Sequence, residues 1–148
     1  MKYSFLINNQ LAVIIFIISV SIISCKKTEG TGGTSIIKGK VIVYDFDAGF
    51  QSPAPISIYP AVDEDVYILY GVDHSTYDDD FKTTYDGTYE FKYLQKGNYR
   101  LFAYSKDSTG AKLGFPSGAK IPTFIDVEIT SNGSTIIAPD IIILNNKQ

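Results

Sequence analysis

The stretch TTYDGTYEFKYLQKGNYRLFAYS, residues 83–105, decides the fold. Asp86-Gly87 and Gly97-Asn98 are turn pairs, because glycine reaches positive φ at little steric cost. Between and after them the chain alternates with a period of two. Tyr89, Phe91 and Tyr93 fall on one side against Thr88, Glu90 and Lys92, and Tyr99, Leu101 and Ala103 fall opposite Arg100, Phe102 and Tyr104. Side chains two apart share one face of a strand, so the stretch reads as two strands with an apolar inner face.

The texture extends in both directions. Residues 36–46, IIKGKVIVYDF, set Ile37, Gly39, Val41 and Val43 against Lys38, Lys40, Ile42 and Tyr44. PAPISIYPA is short and bounded by prolines, which cannot donate to a ladder, so it suits a sheet edge. EDVYILYGV, DFKTTY, TFIDVEIT and TIIAPDIIIL supply further β-prone runs separated by turn clusters, and no window carries the recurrence of a long amphipathic helix. Seven or eight short strands at hairpin spacing predict an all-β, antiparallel sandwich over residues 36–148.

Thr83, Thr84, Asp86-Gly87, Tyr89, Phe91, Leu94, Gly97, Tyr99 and Leu101, with Gly39 in the opening strand, resemble the core pattern of the carboxypeptidase-regulatory-like family. The resemblance implies a transthyretin-like (prealbumin-like), Ig-like Greek-key sandwich across about residues 36–144, with the segment from Asp45 to Asp63 as an insertion. It does not imply peptidase activity, which in that family belongs to a separate metal-binding unit. Transthyretin-like hydrolases acting on hydroxyisourate need several histidines and a characteristic carboxy-terminal tail. This chain has one histidine, His74, and ends ILNNKQ. A non-catalytic module is therefore expected.

The amino terminus carries an address. Lys2 precedes an apolar run from Leu11 to Ile23, followed by Ser24 and the single cysteine, Cys25. That order is the one found in secretory signals. As a helix the run would measure about 20 Å, short of a hydrocarbon core of about 30 Å. Ile22-Ile23-Ser24-Cys25 resembles the lipobox of bacterial lipoproteins, which implies a signal peptide over residues 1–24 and a diacylglycerol-modified Cys25 as the first mature residue. Each buried methylene contributes about 0.8 kcal/mol, so two or three chains anchor durably. No second cysteine exists to form a disulfide. Residues 25–35, small, polar and glycine-rich after the cysteine, read as a flexible tether. The resemblance places the protein on the bacterial outer membrane, bound by its lipid. In some Bacteroidota lipoproteins acidic residues after the cysteine mark surface export, and the basic start CKKTEG favours the periplasmic face.

Net charge is −3, which gives no basis for nucleic-acid binding. Two acidic runs flank VYILYG, and Asp63, Asp65, Asp73, Asp78, Asp79 and Asp80 are the candidate metal ligands, since Ca²⁺ takes roughly six to eight oxygens. Against this stand the absence of EF-hand spacing and the ordinary use of loop carboxylates for solubility. No other cofactor is expected. His74 between Asp73 and Ser75 is no triad, because neighbours on an extended chain point apart. Aromatics make up 14% of the residues without any tryptophan, and Tyr67, Phe102 and Tyr104 are the candidate ligand face if their strands have one open side. The expected function is a lipid-anchored envelope module that binds a protein partner in adhesion or surface-complex assembly. The alternative is a binder of calcium or glycan.

Overall fold

The computed structural model describes residues 29–73, 75–109 and 119–146. Nine strands lie within them: β1 Thr31–Phe46, β2 Ser57–Pro60, β3 Asp65–Tyr70, β4 Asp79–Lys82, β5 Thr88–Leu94, β6 Gly97–Lys106, β7 Lys120–Ile129, β8 Thr135–Ile137 and β9 Ile141–Asn146, with a 3-10 turn at Ala48–Phe50. They form two sheets. One is centred on β1, with β5 and β2 along one edge and β8 and β9 along the other, and the second runs β4-β3-β6-β7. Val41 marks where the first edge changes hands, its N–H donating to Gly87 O and its carbonyl accepting from Ala61 N–H, both at 2.9 Å.

The expected all-β sandwich is the fold. Its second sheet is wholly antiparallel, but β8 and β9 pair parallel to β1, contrary to the all-antiparallel expectation. The reason lies in the turn SNGS, Ser131-Asn132-Gly133-Ser134, between β7 and β8. It carries the chain from the end of β7 in one sheet to the other sheet, where Ser134 O accepts from Ile36 N–H beside the first half of β1. A strand entering there runs the same way as β1. β2 is an edge strand, as its prolines required.

The inner faces are those the alternation named. Ile37, Val41, Val43, Tyr89 and Phe91 from the first sheet meet Val66, Ile68, Tyr99, Leu101 and Ala103 from the second, joined by Val127, Ile129, Ile141 and Ile143. Burying a large apolar side chain contributes about 1.5–3 kcal/mol, and with one cysteine in the chain this packing must suffice. One inward assignment fails. Tyr93 is 70% exposed, and Leu94 takes its place in the core. Between the pairs Ile37↔Phe91 and Ser35↔Leu94, β5 holds one residue more than β1, a bulge absorbed where Tyr93 adopts φ 59°.

Part of the segment read as a tether is strand. Thr31–Ser35 belong to β1, Ser35 is buried, and Gly30 N–H donates to Tyr99 Oη at 3.1 Å. The glycines here serve close approach. An alanine Cβ at Gly33 would lie 1.9 Å from the Leu94 carbonyl oxygen. Tyr99 Oη also donates to Gln95 O at 2.8 Å, four residues back, tying the β5-β6 corner and the entrance to β1 to one buried phenol.

The Asp86-Gly87 turn is built as its residues demand. Gly87 holds φ 77°. Asp86 Oδ1 accepts from Thr84 Oγ1 at 2.6 Å and Thr88 Oγ1 at 2.7 Å, and the Lys40 ammonium stands 3.8 Å from Oδ2. The hydroxyl bonds, first from Thr84 and then from Thr88, hold the Asp86 carboxyl down to about 2 from its ordinary 3.8. A folded-state pKa below the unfolded one means that ionised Asp86 steadies the turn above pH 3.8, and that this contribution fades as pH falls toward 2. Carboxyl NMR titration is expected to place its midpoint below every unpaired aspartate. A midpoint at the ordinary value would contradict the bonded turn.

Candidate functional site: the aromatic face of the second sheet

In the second sheet, residues that do not face the core face outward. On β3 these are Asp65, Tyr67 and Leu69, on β6 Arg100, Phe102 and Tyr104, and on β7 Pro122, Phe124 and Asp126. Register places Tyr67 beside Phe102 and Phe102 beside Phe124, one row across three strands. The rings are in contact. Tyr67 stacks on Phe102 at 4.9 Å with 21° between planes, and Phe124 tilts against Phe102 at 5.3 Å. Tyr77, from the loop between β3 and β4, extends the row by packing on Tyr67 at 4.6 Å. Tyr104 sets its edge against both, 5.7 Å from Tyr67 and 5.5 Å from Phe102.

The result is a floor with raised rims. Phe102 is only 7% exposed, covered by its neighbours, whereas Tyr77 is 48%, Tyr104 38% and Phe124 51% exposed. The three residues singled out from sequence, Tyr67, Phe102 and Tyr104, do come together. They form a corrugated face, not a flat row.

Polar groups frame the rings. Arg100 Nε and Nη2 donate to the two carboxylate oxygens of Asp126 at 2.6 and 2.9 Å, Nη1 donates to Val72 O at 3.1 Å, and the guanidinium lies 5.5 Å over the Phe124 ring. The paired guanidinium keeps the Asp126 carboxyl below the usual carboxylate range. Partial burial, then the nearby Asp65 carboxylate, pushes the Tyr67 phenol up, so it stays neutral and can donate at physiological pH. Beyond Tyr104 an open groove of ≈ 380 Å³ runs between the sheets past Tyr59, Glu64, Lys106 and Lys120. Burial raises the Glu64 carboxyl, and Lys120 opposes the rise.

Most of the acidic residues proposed for calcium have other partners. Asp63 and Asp65 both lie against Lys82, at 3.9 and 3.0 Å. Asp78 Oδ2 accepts from Tyr70 N–H at 2.7 Å, and Asp79 Oδ1 from Asp80 N–H at 2.9 Å. Asp73 lies close enough to Arg100 to act on its charge. Among the described residues no three metal-binding side chains are grouped to hold an ion. Cys25 and His74 lie outside the described residues.

Two members of the face escaped sequence reading. Phe124 carried a usable signal, since Phe124, Asp126 and Glu128 alternate against Ile125, Val127 and Ile129. Tyr77 carried none, because it comes from a loop.

Fold and face together define a two-sheet β-sandwich with a ring-bearing outer surface and, among the described residues, no grouped metal ligands. No family model matches the chain, and no curated protein matches it. Among solved structures it is similar to a candidate carbohydrate-binding protein from Pseudomonas aeruginosa, with 12% identity, TM-score 0.45, and coverage of 80% of this chain and 92% of that one. It is also similar to an (S)-allantoin synthase, with 16% identity, TM-score 0.36, and coverage of 77% of this chain and 42% of that one.

Proposed function

We propose that this chain is an exported, non-catalytic binding module, held to the outer membrane by lipid on Cys25, and that its aromatic face takes a saccharide. The observation that supports this is the cluster of rings itself. Five aromatic side chains, Tyr67, Tyr77, Phe102, Tyr104 and Phe124, gather on the side of the sheet turned away from the core, where they contribute nothing to inter-sheet packing. A sugar ring offers a face of C–H groups that packs on such rings and a rim of hydroxyls that bonds to groups such as Asp126 and the Tyr67 phenol.

Tyr77→Ala and Phe124→Ala remove exposed rings and leave the core untouched. Each is expected to weaken retention in polysaccharide affinity electrophoresis about tenfold, equivalent to about 1.4 kcal/mol, with unchanged melting temperature. Retention equal to the parent in both variants would sink the assignment. For the anchor, Cys25→Ala is expected to abolish incorporation of labelled fatty acid, and labelling that persists would overturn Cys25 as the site of attachment.

A protein partner from the envelope is a second reading, favoured by the other outer surface. Ile42, Tyr44, Ile58, Pro60, Ile142 and Leu144 lie side by side across β2, β1 and β9, facing away from the core, with Ile58 and Ile142 well exposed.

A further inference from the structure

Resting on the saccharide reading, we propose that the aromatic face selects neutral or amino-bearing oligosaccharides and turns away acidic ones. The choice of an oligomer follows from the length of the row. Tyr77, Tyr67, Phe102 and Phe124 succeed one another at 4.6, 4.9 and 5.3 Å, a continuous track across β3, β6 and β7 that a single sugar ring would not cover.

The charge preference follows from what has become of the cations. An acidic glycan needs a free guanidinium or ammonium beside the rings. Arg100, the cation nearest the row, has Nε and Nη2 on Asp126 and Nη1 on the Val72 carbonyl. Lys82, on the β4 side, lies between Asp63 and Asp65. Lys106 donates to the Asn146 carbonyl at 3.0 Å, and Lys120 stands near Glu64, both beyond Tyr104 and off the row. Carboxylates lie beside the row on its two outer strands. Asp80, exposed, pairs across from Tyr67 on β4, and Asp126, two residues from Phe124 on the same face of β7, already balances the Arg100 charge.

A carboxylated polymer laid along this track would bring like charges together within a Debye length of about 8–10 Å, which costs binding free energy at each approach. Sugar hydroxyls, by contrast, donate to Asp80 and Asp126, and an amino group gains both a carboxylate and the negative faces of the rings.

The test uses the full chain in detergent against a neutral set (xylan, mannan and β-glucan), chitosan oligomers and polygalacturonate. At least one neutral polymer, together with chitosan, is expected to bind at least about tenfold more tightly than polygalacturonate. Asp80→Lys, at an exposed position outside the core, is expected to narrow the gap. Polygalacturonate binding as tightly as the best neutral polymer, with loss of that binding in Phe124→Ala, overturns the charge preference and keeps the saccharide reading. Retention of none of these polymers overturns both.

Discussion

Gly33→Ala is expected to unfold the domain at a markedly lower temperature, although Gly33 stands in a segment whose composition is that of a linker. The new methyl would lie 1.9 Å from the Leu94 carbonyl oxygen, 2.3 Å from its carbon and 2.5 Å from Gln95 N, all backbone atoms with no rotamer to give way. Either β1 and β5 part, or the entrance to β1 peels off. Overpacking of this kind costs about 1–3 kcal/mol and more when backbone must shift, so the melting temperature should fall by roughly 10 °C or more. Thr34→Ala, at the next and exposed position, should change it little. Thermal scans of the two variants decide the matter. An unchanged midpoint for Gly33→Ala would mean that the segment hangs free and that β1 starts near Ile36.

The second large effect separates two buried tyrosines. Tyr99 and Tyr89 are both almost wholly enclosed, and burial raises both phenols. Their hydroxyls are treated differently. Tyr99 Oη accepts from Gly30 N–H and donates to Gln95 O, whereas Tyr89 Oη has no hydrogen-bond partner among the described residues. Removing a bonded hydroxyl strands its partners, at about 1–3 kcal/mol, while removing an unbonded buried one relieves a desolvated group. Tyr99→Phe should therefore destabilise by about 1–3 kcal/mol in urea unfolding, and Tyr89→Phe should be neutral or stabilising. The reverse order would show that the entrance to β1 is not tied down by Tyr99.

Alternation and turn pairs made most of this fold legible. The inner faces of β1, β5 and β6 follow from a period of two, and the Asp86-Gly87 turn follows from glycine geometry. Three features were hidden for physical reasons. Gly33 looks like a linker glycine because composition does not distinguish freedom from close approach. The bulge at Tyr93 depends on a register that one strand cannot know of its partner. The parallel pairing of β8 and β9 depends on a turn changing sheets, and SNGS reads equally well as a hairpin. The candidate face was legible in its centre, Tyr67, Phe102 and Tyr104, and not at its rim. Tyr77 arrives from outside the periodic segments, and the bidentate Arg100–Asp126 pair needs β6 and β7 in register.

The early start of β1 has a bearing on posture. On the proposed lipid anchor at Cys25, the few residues before Thr31 would span at most about 20 Å, less than half the roughly 50 Å length of β1. So short a leash would keep the Tyr99 corner, where β1 begins, nearest the lipid. Strands of aligned stacked sheets keep within about 30° of one another, so if β1 stood upright on that corner, β3, β6 and β7 would rise from the membrane as well, and the ring track that crosses them would lie level with it. A polymer gripped there would be held lengthwise along the cell's surface layers rather than end-on.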